Sequence, residues 1–181
     1  MRLLKFLFFF FLLPFTFLQA QIDHRLKGEV ITEFGNTFSV KDPDFVTDTD
    51  RVYKVVFDIH NTPEDPSKLN PMINTLARFL NMHKAAGVPI QNMQVAGVFH
   101  NKATHDVLDD KGYREKYGVD NPNTALIQKL RETGAQLIVC GQSIHARGVE
   151  RDKINPSVKV ALSAITAILT LEQDGYRLIK F

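Results

Sequence analysis

The chain has 181 residues, with 22 basic and 20 acidic side chains and a formal net charge of +2. Two of the basic residues, Arg2 and Lys5, lie in an N-terminal segment without an acid, so the rest of the chain has no formal net charge. This balance argues against a nucleic-acid partner, because nucleic-acid-binding proteins need clustered positive charge. The remaining length of about 160 residues fits one domain with a hydrophobic core.

Residues 1–20 have the pattern of a secretory signal peptide. A short basic start is followed by an apolar stretch from Phe6 to Leu18 and then by a small residue, Ala20. The apolar stretch is short for a membrane span. We therefore expect cleavage after Ala20, export of the mature chain to the periplasm, and no stable membrane insertion afterwards. An uncleaved membrane anchor is the alternative.

Residues 21–52 are polar and form a predicted arm ahead of the main domain, which spans residues 53–181. Two short runs, 30–34 and 38–40, flank Gly35-Asn36, a residue pair that favours tight turns. These runs predict a short N-terminal hairpin. The segment 41–44 then interrupts any regular structure.

From Tyr53 onward, predicted strands alternate with predicted helices. Runs of branched aliphatic residues predict strands, and apolar residues at helical spacing predict helices. The predicted strands cover residues 53–59, 94–99, 137–140 and 176–181, and the predicted helices cover 68–86, 121–134 and 155–174. An alternation with short connections predicts an α/β fold with a mainly parallel sheet covered on both faces.

Three of these strands end in polar or reactive residues. In a parallel sheet all carboxyl ends lie at one edge, which is the usual location of a site in such folds. The candidate site residues at that edge are His60, Asn61, His100, Asn101, Cys140, Gly141, Gln142 and Ser143.

Cys140 is the only cysteine of the chain, so no internal disulfide can form. If Cys140 caps a helix that begins at Gly141, unpaired N–H groups and the helix dipole lower the pKa of its thiol. The thiol would then act as a nucleophile or a metal ligand. The alternative is a buried cysteine without chemistry at the end of a strand.

The sequence gives weaker support for a site role of the other polar residues. His100 is a candidate base or ligand, while His60, His105 and His145 are lesser candidates. Arg147 could stabilise a thiolate or bind an oxyanion, or it could be a solvated helix charge. The segment 102–120 predicts either a lid over the site or a surface helix with aromatic residues packed beneath it.

Several segments together resemble the DsrE/DsrF-like family. They are Val55-Val56-Phe57-Asp58, Gly97-Val98-Phe99-His100, Asn121-Pro122-Asn123, Leu137-Ile138-Val139-Cys140-Gly141-Gln142-Ser143 and Val160-Ala161-Leu162-Ser163-Ala164. The resemblance runs from about Tyr53 to the C-terminus, and the arm and leader resemble those of an exported branch. It implies a three-layer α/β/α sandwich with a five-stranded sheet, assembled as a homotrimer or a larger ring. Better-known members carry sulfur as a persulfide on a cysteine, whose position Cys140 matches.

The leading hypothesis is therefore an exported sulfur carrier, or sulfurtransferase-like protein, that receives sulfur from a donor and passes it to an acceptor protein. Cys140 would hold the sulfur, Gln142, Ser143 and backbone amides would hold the charge, and His100 would assist proton transfer. Monothiol exchange, a metal site of Cys140, His100 and His60, and a non-catalytic oligomeric binding protein are the alternatives. The leading hypothesis needs no metal and no cofactor, and the sequence has neither a Gly-rich dinucleotide turn nor a Walker-type loop.

Overall fold

Strands and helices alternate along the domain. The computed structural model describes residues 25–180, so the predicted signal peptide lies outside the described residues. The strands in this range are β1 (Tyr53–Ile59), β2 (Met93–Phe99), β3 (Gln136–Cys140), β4 (Lys159–Ala161) and β5 (Arg177–Ile179). The α-helices there are α1 (Pro71–Ala85), α2 (Asp110–Tyr117), α3 (Thr124–Glu132), α4 (Gly141–Ala146) and α5 (Ala164–Gln173). Short 3-10 helices span Ile90–Asn92, Asn101–Val107 and Arg151–Lys153.

The strands of residues 25–180 form one five-stranded parallel sheet in the order β4-β3-β2-β1-β5. Side chains of a strand alternate between the two faces. Thus Val55 and Phe57 of β1 enter the larger core with α1 and α3, whereas Val56 enters a second core with α5. Helices on both faces make the three-layer α/β/α arrangement, and the predicted fold class is confirmed.

The strand register sets the level of each side chain at the carboxyl edge of the sheet. Ile59 of β1 pairs with Phe99 of β2, and Phe99 pairs with Val139 of β3. Adjacent strands in a sheet are about 4.8 Å apart. The next residues, His60, His100 and Cys140, therefore lie side by side at this edge.

The predicted helix over residues 155–174 is wrong at its start. The segment contains a turn, then β4, and only then α5. The Asn155 side chain accepts a hydrogen bond from the Ser157 backbone N–H at 2.9 Å and closes the turn. The Ser163 hydroxyl caps α5 by accepting the Thr166 N–H at 3.0 Å. The helix predicted from the spacing of the apolar residues after 162 is present. Val158 and Val160, two residues apart, lie instead in the turn and in β4.

The helix predicted from Asn121 also begins later, at Thr124. The Asn121 side chain is buried and donates hydrogen bonds to the carbonyls of Asp106 (2.9 Å) and Leu108 (2.7 Å). It thus fixes the preceding loop to α3. The 102–120 segment is a packed helical connection, in which Tyr113 is buried and donates its hydroxyl hydrogen to the Pro66 carbonyl at 2.9 Å.

The described part of the arm, residues 25–52, does not form the predicted hairpin. Residues 29–34 are bends, and the arm's antiparallel pairing within this range is a bridge between Leu26 and Thr37. The backbone N–H and carbonyl groups of the arm form hydrogen bonds with the side chain of Asn81 in α1, and not with a second strand. Asn81 Oδ1 accepts from Val30 (3.2 Å) and Ile31 (2.9 Å), while Nδ2 donates to three arm carbonyls.

No helix among residues 25–180 combines the length and apolar character needed to cross a membrane.

Candidate functional site

Cys140 ends β3 and caps α4. Its backbone is extended, with φ −70° and ψ 117°, and its Sγ accepts a hydrogen bond from the Ser143 N–H at 3.4 Å. The residue is 5% exposed. The predicted cap at the start of the helix is therefore present, and the thiol lies just beneath the surface at the carboxyl edge of the sheet.

Opposing effects set the acidity of this thiol. Burial raises its pKa, but hydrogen bonds from the Ser143 side chain and from the backbone amides of Ser143, Ala164 and Gln142 lower it. The hydrogen bonds prevail, so the pKa of the Cys140 thiol lies below its ordinary value. Amides that point at a sulfur favour its thiolate.

Two helices supply these amides. Ser143 belongs to the first turn of α4, and Ala164 is the first residue of α5. The start of α4 lies close to the end of β4 because residue 141 is a glycine: a Cβ there would lie 2.7 Å from the Ala161 carbonyl oxygen. Gly141 thus permits the contact that brings the start of α5 to the thiol.

Asn101 and Arg147 extend the network around Ser143. Asn101 has a positive φ of 52°, and its N–H donates to Ser143 Oγ at 3.1 Å. Arg147 donates from its guanidinium to the Asn101 side-chain oxygen. Arg147 therefore has a structural partner, which the sequence did not indicate.

His100 forms a pair with an acid that the sequence analysis did not select. His100 Nε2 lies 2.6 Å from Oδ1 of Asp58, and Lys180 Nζ lies 3.4 Å from the other carboxylate oxygen. Asp58 is 8% exposed. Its position was visible in the sequence as an acid near the end of a mostly apolar strand, two residues before His60.

His60 joins the Asp58–His100 pair. The His60 and His100 rings are 5.9 Å apart between centroids. One ligand atom from each of Asp58, His60 and His100 lies within 4.8 Å of the other two. By strand alternation and register, these three side chains lie on the same face of the sheet as Cys140, the face covered by α5.

Of the remaining predicted residues, Gln142 lies at the thiol, whereas Asn61 and His145 do not. Gln142 contributes its backbone amide to the thiol and donates its side-chain amide to the Leu162 carbonyl at 3.3 Å. Asn61 is exposed, and its carbonyl accepts from Asn70 Nδ2 at 2.7 Å, which gives it a structural contact instead of a place at the thiol. His145 is exposed on α4.

His105 lies beneath α2. Its Nδ1 is 2.8 Å from the Tyr117 hydroxyl oxygen, and the two groups share a hydrogen bond. Burial, with smaller contributions from the charges of Lys116 and Arg147, lowers the pKa of His105 to about 4. The imidazole is therefore neutral near pH 7.

Comparisons with known proteins agree with this architecture. The chain is similar to MTH1491, a protein of unknown function from Methanobacterium thermoautotrophicum, with 19% identity and a TM-score of 0.53 over 71% of this chain and 99% of that one. It is similar to the ychN protein from E. coli with 14% identity and a TM-score of 0.53, over the same shares of the two chains. These likenesses show a common fold. A comparison with curated proteins finds no match.

The chain also matches the sequence profile of a protein family. The profile matches residues 54–181, which contain every residue of the candidate site and the whole sheet except Tyr53. The chain therefore belongs to the DsrE/DsrF-like family.

Proposed function

We propose that this protein is a sulfur carrier in which Cys140 accepts a sulfane sulfur as a persulfide. The observation that carries the proposal is the lowered pKa of a thiol surrounded by amides from two helices. The association of the DsrE/DsrF-like family with sulfur relay supports it.

The reaction is a transfer between thiols without net oxidation. The Cys140 thiolate attacks the terminal sulfur of a donor persulfide, R–S–SH. A new S–S bond forms at Cys140 as the donor S–S bond breaks, and the donor leaves as a thiolate that takes up a proton. The same steps in reverse pass the sulfur to an acceptor thiol.

The backbone amides and the Ser143 side chain stabilise the negative charge before the attack and after the reverse step. His100 is assigned the proton transfer. When His100 Nε2 donates its hydrogen to the Asp58 carboxylate, 2.6 Å away, the other ring nitrogen is left to accept a proton, and we assign it the proton of Cys140. A largely buried thiol favours small persulfide donors, or a partner protein whose reactive end is narrow.

Mass spectrometry of the intact protein tests the proposal. Wild type, Cys140→Ser and the control His145→Gln are treated with a polysulfide, freed of excess reagent and measured with and without reductant. We expect a reducible gain of one or more sulfur atoms in wild type and His145→Gln, formed faster than on a free cysteine peptide, and none in Cys140→Ser. Equal gains in all three proteins, or no gain in the wild type, would contradict the proposal.

We also propose that the protein assembles from copies of itself through the outer face of α5. Ile165 and Leu169 lie one helical turn apart on α5 and are 73% and 54% exposed, and Leu162, just before the helix, is 73% exposed. Such an apolar face is costly in water unless another molecule covers it. Sedimentation at several concentrations tests this: Ile165→Glu should dissociate the assembly, whereas Thr166→Glu, next to it, is the less disruptive control. A monomeric wild type would contradict it.

Export is proposed on residues 1–20 alone, whose pattern is that of a signal peptide. Expression of the full chain followed by cell fractionation and N-terminal sequencing is the test. We expect a periplasmic product that begins at Gln21, and a full-length product in the cytoplasm would contradict export.

A further inference from the structure

We infer that Asp58, His60 and His100 form a binding site for one transition-metal dication of the zinc class. The inference goes beyond the proposed function, in which Cys140 is the reacting group. It also differs from the metal hypothesis based on sequence, because a carboxylate replaces the thiol as the third ligand.

The donor set suits this class of ion. Two imidazole nitrogens and one carboxylate oxygen lie within 4.8 Å of one another. Imidazole is a preferred ligand of zinc, copper, nickel and iron, whereas calcium and magnesium prefer sites built from oxygen. Three protein ligands leave a fourth position open, as in zinc sites that also bind water or a small ligand.

The backbone holds the three donors in place before any ion arrives. Asp58 and His60 are two residues apart at the end of β1, and side chains at that spacing share one face of a sheet. His100 is fixed across from them because its N–H donates to the Ile59 carbonyl at 3.0 Å. The Ala103 N–H reaches the His60 carbonyl at 3.4 Å and holds the other histidine.

The polar atoms of the cluster have bonding capacity that an ion would use. His60 Nδ1 is buried and has no hydrogen-bond partner among the described residues. Buried polar atoms are nearly always paired in folded proteins, so an unpaired imidazole nitrogen on a residue of this cluster points to a ligand.

The existing partners of the other two donors, Asp58 and His100, can be displaced by the ion. The 2.6 Å contact between His100 Nε2 and Asp58 Oδ1 contains a proton that a metal would replace. With the ion bound, the imidazole carries its hydrogen on Nδ1, so His100 serves the proton transfer at Cys140 only in the metal-free protein. Lys180, which lies 3.4 Å from Asp58 Oδ2, is 67% exposed, so its ammonium can move into solvent.

Cobalt titration of the purified protein, prepared without a polyhistidine tag and freed of metal, tests the inference. We expect saturation at one Co²⁺ per chain, with visible absorption bands of a low-symmetry site that Zn²⁺ abolishes by displacement. Asp58→Asn and His60→Gln should each weaken binding by roughly tenfold or more, since even indirect partners of metal ligands contribute that much. Far-UV circular dichroism without metal shows whether each variant is folded.

Exposed residues of the same types provide the matched controls. His145→Gln and Asp152→Asn should bind Co²⁺ like the wild type. Cys140→Ser should also retain binding, although it loses sulfur uptake, so the two proposals fail in separate assays. The inference is overturned if the wild type shows no saturable binding, if Asp58→Asn and His60→Gln bind like the wild type, or if Cys140→Ser abolishes binding.

Discussion

Asn101 and Ser143 are joined by a hydrogen bond of 3.1 Å from the Asn101 N–H to the Ser143 hydroxyl oxygen. The bond connects the end of β2 to the first turn of α4. The same hydroxyl group donates a hydrogen bond to Cys140 Sγ. The Asn101 N–H therefore polarises the hydroxyl group that lowers the pKa of the thiol. The ends of two strands thus act together on the sulfur of Cys140.

Ser143→Ala should raise the pKa of the Cys140 thiol, because one of the hydrogen bonds that lower it is lost. At pH 7 the thiolate fraction falls, and alkylation of Cys140 should slow several-fold. Stopped-flow alkylation at a series of pH values measures this. Ser157 is remote from the thiol, so Ser157→Ala should leave the pH profile of alkylation unchanged. An unchanged profile in Ser143→Ala would show that the Ser143 hydroxyl does not lower the pKa of the Cys140 thiol.

Gly141→Ala should both destabilise the protein and raise the pKa of the thiol. The added Cβ would lie 2.7 Å from the Ala161 carbonyl oxygen, so β4 and the start of α5 must move away. We expect a loss of about 2 kcal/mol in the free energy of unfolding, typical of overpacking. Urea titration and the alkylation profile measure the two effects.

Gly134→Ala is the matched control for that variant. Gly134 has a φ of +86° and no atoms within 4 Å of an added Cβ. Its replacement should cost about 1 kcal/mol through backbone strain alone and should leave the alkylation profile of Cys140 unchanged. Equal profile shifts in both glycine variants would indicate a global effect of instability.

Asn81→Ala should release the arm. Its buried amide group satisfies five backbone groups of residues 30–35, which would lose their partner. We expect the free energy of unfolding to fall by about 3 kcal/mol and proteolysis within residues 25–52 to become faster. Lys84→Ala on the same helix should stay within about 0.5 kcal/mol of the wild type. An arm that stays resistant in Asn81→Ala would contradict this role.

His105 and Asp106 should give opposite pH dependences of stability. Burial raises the pKa of Asp106 to about 6, against smaller lowering by hydrogen bonds from Thr62 and Asn70. The folded state therefore binds the extra proton between pH 4 and 6, and this group's contribution to stability falls as the pH rises through that window. The pKa of His105 is lowered to about 4, so its contribution rises with pH between about 4 and 6.5.

The two effects offset each other in the wild type. Asp106→Asn should leave a stability that rises with pH between 4 and 6, and His105→Gln should leave one that falls, each relative to the wild type. Urea unfolding at half-unit pH steps measures the slopes. Slopes of the same sign in both variants would contradict the assignment.

Local patterns predicted the features that depend on neighbouring residues. The bounds of β1 and the cap at Cys140 follow from an apolar run and the polar turn after it. The start of the last helix was misplaced because Val158, Val160 and Leu162 fit a helical stripe as well as an extended segment. A hydroxyl at Ser163 was the local signal for the true start.

Features that depend on contacts between distant segments could not be read from the sequence. Asp58 meets His100 only because β1 and β2 pair in one register, and that register has no local signal. Asn81 is an ordinary helix residue until the arm folds against it. The amide of Ala164 reaches Cys140 through the β3–β4 pairing, in which Cys140 lies opposite Ala161.

The central claim is that amides from α4 and α5 lower the pKa of the Cys140 thiol. Its most direct test is the rate of alkylation of Cys140 by iodoacetamide as a function of pH, which is simple to interpret because the sequence has one cysteine. The account predicts a midpoint below that of a free cysteine peptide under the same conditions. A midpoint at or above that of the peptide would show that burial prevails, and it would contradict the account.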